Sequence, residues 1–128
     1  MKRKQSAVKV KEDEVLNSLI VDAIQDIKGK NIVKIDLRRL GEAPADFFII
    51  CEGESTTQIR AISNNIFKRV SEELGVKPQH REGVDLSKWV LVDYFNTIVH
   101  AFYPETREFY DLEDLWSDAE LIPIENIA

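Results

Sequence analysis

The five-residue run "FFIIC", Phe47 to Cys51, constrains the fold more than any other stretch. It is wholly apolar and too short for a buried helix, so it reads as a strand covered on both faces. Five residues later a helical pattern begins. Ser55 and Gln58 have the spacing of a capping box, Ile59, Ile62, Ile66, Phe67, Val70 and Leu74 form an apolar stripe, and Gly75 ends it. A buried strand feeding an amphipathic helix predicts an α/β domain with a crossover back to the sheet.

The flanking segments extend that unit. Asp13 to Lys30 predicts a helix, with Val15, Leu16, Leu19, Ile20, Ala23, Ile24 and Ile27 at helical spacing. Val33, Ile35 and Leu37 alternate with Lys34, Asp36 and Arg38, as in a strand. Residues 76–88 read as a loop. "WVLVD" and "TIVHAF" read as two strands joined by a tight turn at Tyr94-Phe95-Asn96, followed by short helical turns after Pro104 and at "DLEDLW". The expected organisation is a flexible basic arm over 1–11, one domain over 12–118 with a mixed sheet flanked by helices, and an irregular tail over 119–128. A chain of 128 residues suits one domain.

Composition narrows the function. The net charge is −6 and the pI about 5.0, which makes nucleic-acid contact at most secondary. The charge is uneven: residues 1–11 hold five Lys or Arg and no acid, whereas residues 105–128 hold eight Asp or Glu and one Arg. An acidic end can attract a basic partner, and acids also keep a surface soluble. A single cysteine, no apolar run near the roughly 20 residues of a membrane span and a polar start lead to the expectation of a cytoplasmic protein without a membrane segment.

No catalytic constellation stands out. "CEGEST" joins a strand to a helix, where phosphates often bind, but it has one glycine and no Gly-Lys-Ser/Thr, and Glu52 and Glu54 would repel phosphate. His100 lies mid-strand and His80 in a loop beside Arg81 and Glu82; neither has a second ligand at metal-site spacing. The expectation is no metal, no cofactor and a structural His100, with an Asp93–His100 network as the option beside it. The aromatics of "WVLVDYFNTIVHAFYPETREFYDLEDLW" admit two readings, a core with an acidic rim or a protein-binding hot spot.

Taken together, "DFFIICEGESTTQIRAI", "EGVDLSKWVLVDY", "IVHAF" and "REFYDLEDLW" resemble the ribosomal silencing factor family, also called Iojap-like, in order and spacing over about Val15 to Asp118. The resemblance implies binding to the large ribosomal subunit through ribosomal protein fourteen, at the face that meets the small subunit. Joining would be blocked and translation repressed, notably when nutrients are short. It also implies a nucleotidyltransferase-like fold without catalysis, and the chain has no Asp-x-Asp to hold two metals. A nucleotidyltransferase-like enzyme or nucleotide binder is the alternative. Many members have Gly-Asp where this chain has Phe95-Asn96, so the turn is expected to differ. The expected partner surface comprises Trp89, Asp93, Tyr94, Tyr110, Glu113 and Trp116, with a weak homodimer of the free protein.

Overall fold

A computed structural model describes residues 7–127. In chain order the elements are α1 (Ala7–Asp26), β1 (Lys30–Asp36), β2 (Phe47–Glu52), α2 (Thr56–Leu74), β3 (His80–Glu82), β4 (Trp89–Asp93), β5 (Thr97–Phe102), α3 (Pro104–Tyr110), α4 (Leu112–Leu115) and β6 (Glu120–Pro123). The strands form one mixed sheet in the order β3-β4-β5-β2-β1-β6. Only β2 and β5 pair in parallel, Phe47 opposite Thr97 through Glu52 opposite Phe102. The other neighbours are antiparallel.

β2 is central and covered on both faces, as its composition requires. Ile49 and Cys51 point to one core with Ile20 and Ile24 of α1, Ile59, Ile62, Ile66 and Val70 of α2, and Val90, Val92 and Val99 of the hairpin. Phe48 and Ile50 point to the opposite core with Ile35, Leu37, Ile98, Phe102 and Leu112, against which Trp89 and Trp116 pack. The second face is covered by the short α3–α4 segment and the loop after β1 instead of by long helices. Among the described residues no helix is long and apolar enough to cross a membrane.

Four expectations need correction. The basic arm is helical from Ala7 onward, and Lys9 of that first turn reaches Asp46 at 2.9 Å; residues 1–6 lie outside the described part. The buried stripe of α1 starts with two polar residues, Asp13 and Asn17, whereas Val15 is exposed. Both are accommodated because the hairpin meets them: Asn96 donates to Asp13 and the Thr97 hydroxyl donates to the Asn17 amide oxygen at 2.6 Å. Residues 80–82, read as loop, form an edge strand on β4. The tail also supplies an edge strand, β6, on β1. Strands of three and four residues are too short to show an apolar alternation in the sequence, and Pro123 further masks the second.

The hairpin turn lies where expected. Tyr94 N–H donates to the Thr97 carbonyl, and Asp93 accepts from the Phe95 N–H at 2.8 Å. Phe95 has φ 70°, a left-handed conformation that favours glycine and is unusual for a bulky residue. Its ring is left outside the core.

Candidate partner-binding surface

Trp89 starts β4 on the face away from α1 and α2, opposite Phe102 of β5. Its indole Nε1–H donates to Nδ1 of His100 at 3.1 Å. That bond places the proton of a neutral imidazole on Nε2. His100 is buried edge-on to Phe48, at 4.6 Å between ring centroids, and stacked near Phe102. Burial pushes its pKa down to about 4, with Asp93 opposing the shift. No Asp93–His100 hydrogen bond forms, because Asp93 gives its oxygens to the Gln79 amide and the Phe95 N–H. His100 is therefore a neutral acceptor that fixes an indole.

Outside this pair the aromatics continue to the surface. Tyr110 lies 4.7 Å from Trp89, and Phe109 meets Tyr110 edge-on at 5.0 Å. Phe109 is 79% exposed, Tyr110 51% and Leu86 77%. A groove of about 790 Å³ runs between α3 and the loop before β4, with Trp89 at its floor and Arg81, Lys88, Asp85 and Glu105 among its polar residues. Exposed aromatic and aliphatic side chains around a charged rim have the make-up of a protein-binding patch.

Both walls of the groove are held from behind. Gly83 has φ 83°, and a Cβ there would meet the Trp89 carbonyl oxygen at 2.0 Å, so only glycine lets the loop close on β4. Arg60 of α2 donates to the Val84 and Asp85 carbonyls of the same loop. On the other wall, Arg107 of α3 is buried and bonded to Glu113, Glu52 and the Asn31 carbonyl.

The six residues expected to form the partner surface do not share one patch. Trp89 and Tyr110 meet in the groove. Glu113 is half-buried and tied to Arg107 at 2.7 Å. Trp116 packs edge-on against Phe48 on the same sheet face. Asp93 ends β4 at the far end from Trp89 and organises the turn. Tyr94 is only 5% exposed and lies in the opposite core, where burial raises its phenol to about 12. Leu86 and Phe109 were not among the expected residues. The clue was adjacency: of two neighbouring aromatics, Phe109 and Tyr110, on a short helix, both cannot face the sheet.

The other motifs resolve as structural. Ser55 caps α2 by accepting from the Gln58 N–H, and Gln58 in turn accepts from the Glu54 N–H and donates to the Ile27 carbonyl. The Cys51 thiol is fully buried and pushed up to about 12 by that burial. Among the described residues, no group of three or more His, Cys, Asp or Glu could hold a metal ion.

Comparison with known proteins gives a consistent picture. The family described as "Ribosomal silencing factor during starvation", RsfS, matches residues 10–128. A ribosomal silencing factor from Halalkalibacterium halodurans is 35% identical over 115 residues, 90% of this chain and 97% of that one. One from Bacillus subtilis is 37% identical over 103 residues, 80% of this chain and 86% of that one. A crystal structure of a protein from Chromobacterium violaceum superposes with a TM-score of 0.76 at 34% identity, covering 81% of this chain and 85% of that one.

Proposed function

The chain belongs to the RsfS family of ribosomal silencing factors, and from that premise we propose that it binds the large ribosomal subunit and excludes the small one. The proposed contact is ribosomal protein fourteen, on the face where the subunits meet. The observation that carries this reading is the groove at Trp89, whose exposed Phe109, Tyr110 and Leu86 offer aromatic and aliphatic anchors. Residues 105–128 hold eight carboxylates, of which Glu105 lines the groove, and this acidic end would speed the encounter with a basic ribosomal protein. Within the expected set, Trp89 and Tyr110 make direct contact, Glu113 holds α3 through Arg107, Asp93 shapes the turn, and Trp116 and Tyr94 support from inside. Phe109 and Leu86 join the contact.

Steric exclusion needs no bond making. A folded chain of this length has a radius of gyration of roughly 14 Å, enough to hold two ribosomal faces apart. The free protein forms a weak homodimer through the same exposed aromatics, in competition with the ribosome. A nucleotidyltransferase-like role, the alternative, has no feature of the groove in its favour.

Gradient sedimentation tests the proposal. Adding the protein to separated subunits reduces joined ribosomes in a dose-dependent way, without nucleotide, and places the protein in the large-subunit peak. Subunits joined beforehand are protected. Tyr110→Ala weakens large-subunit binding by roughly 30-fold, the equivalent of about 2 kcal/mol at a buried anchor. Undiminished joining at saturating protein, with none in the large-subunit peak, would sink the proposal. A melting shift with nucleotide and Mg²⁺ would favour the enzymatic alternative instead.

A further inference from the structure

We infer that Arg107 is the positioning residue of the partner groove: one buried guanidinium, not an apolar face, docks the helix that presents Phe109 and Tyr110. The inference rests on the proposed function for its binding arm and on geometry alone for its structural arm.

α3 has seven residues and α4 has four, far below the roughly 12–15 that an isolated helix needs in water. Tertiary contacts must therefore hold them. Yet the one buried residue of α3 is Arg107. Phe109 is exposed, Tyr110 keeps one face on Trp89 and the other open, and the remaining apolar anchoring of the segment comes after it, from Leu112 and Trp116. Asp111, at φ 47°, is the joint between the two helices, capping the end of one and the start of the other.

The guanidinium ties α3 to three other elements. Its Nε and Nη2 donate to Glu113 Oε2 of α4 at 3.1 and 2.7 Å. Its Nη1 donates to the Asn31 carbonyl of β1 at 2.7 Å and to Glu52 Oε1 of β2 at 3.2 Å. Glu52 Oε2 accepts from the Asn31 amide at 2.9 Å, which closes the cluster. Charge-assisted bonds of this kind fix direction as well as proximity, because the guanidinium is planar and its donors are fixed. Phe109 follows Arg107 by two residues and Tyr110 by three. Loss of the clamp frees α3 to rotate, and both rings leave the groove wall together.

Lysine offers one point charge and cannot make this fork, so Arg107→Lys separates charge from geometry. The test uses the full chain with Arg107→Met, Arg107→Lys and Glu113→Gln. Amide hydrogen exchange is followed at Asp111 and Leu115, whose N–H groups donate to the Arg107 and Asp111 carbonyls. In Arg107→Met exchange there rises about tenfold or more, while amides of Ile62 to Val70 are unchanged. Arg107→Lys and Glu113→Gln fall between parent and Arg107→Met. Binding to purified large subunits weakens about tenfold in Arg107→Met. Adding Tyr110→Ala to that variant costs less than about twofold more, because its ring is already misplaced. Unchanged exchange at Asp111 and Leu115 in every variant overturns the inference, as does full additivity of Arg107→Met and Tyr110→Ala. If the parent does not bind large subunits, the proposed function falls and the exchange results alone decide the role of Arg107.

Discussion

His100 shows how one side chain can look catalytic and serve a neighbour. Its Nδ1 must carry a lone pair to accept from Trp89, so only the neutral ring fits. The folded-state pKa is about 4, below the 6.5 of an unperturbed histidine. Between those values the unfolded chain binds the extra proton and the folded chain does not, so this residue's contribution to stability is present above about pH 6.5 and is lost as pH falls toward 4. The full shift corresponds to a loss on the order of 3 kcal/mol. Denaturant titrations at pH 7, 5.5 and 4.5 on the parent and on His100→Gln check it. The parent loses stability more steeply than the variant, and parallel curves would contradict the assignment. From sequence, His100 was expected to be structural and hydrogen-bonded within the fold. Its bond to Trp89 was not readable, because cross-strand diagonals depend on register, and a one-residue slip would put the two rings on opposite faces.

At the level of elements, α1 is joined to β5 by a polar rivet as well as by its apolar stripe. Thr97 is fully buried and donates to the nearly buried Asn17. Thr97→Val keeps the shape but leaves the Asn17 oxygen without its donor, which costs about 1–3 kcal/mol. Replacing both, Thr97→Val with Asn17→Leu, costs less than the single change, because no polar atom is left stranded. Urea unfolding of the three proteins decides the order. α1, α2 and β1 were legible because each repeats its apolar residues at the period of its own geometry, β2 because its apolar run is unbroken, and the hairpin because two apolar segments flank a short turn. β3 and β6 were not, since their stability comes from the neighbours β4 and β1 and not from their own residues. The rivet was invisible for a similar reason: Asn17 and Thr97 are 80 positions apart, and polar residues on a helix are ordinarily read as facing water.

The whole molecule is two-sided. One sheet face is sealed by α1 and α2, and the other is thinly covered by α3–α4 and left partly apolar around Trp89. That asymmetry supports self-association of the free protein. Sedimentation at high micromolar concentration is expected to reveal a dimer that large subunits dissolve, and a monomer throughout would rule it out. Fold class was legible from one buried strand and its helix. Of the candidate site, the sequence pointed to Trp89 and Tyr110, which the structure brings together, but which aromatics face out depends on how α3 is docked, and no period in seven residues encodes that.

The placement of the tryptophans has an optical consequence. Both indoles, Trp89 and Trp116, pack on the thinly covered face, and the α1–α2 core contains neither. The chain's tryptophan emission, excited apart from that of Tyr94 in the opposite core, is thus a one-sided gauge. It registers whatever touches or loosens the groove, with no dye attached, and is blind to events along the α1 side.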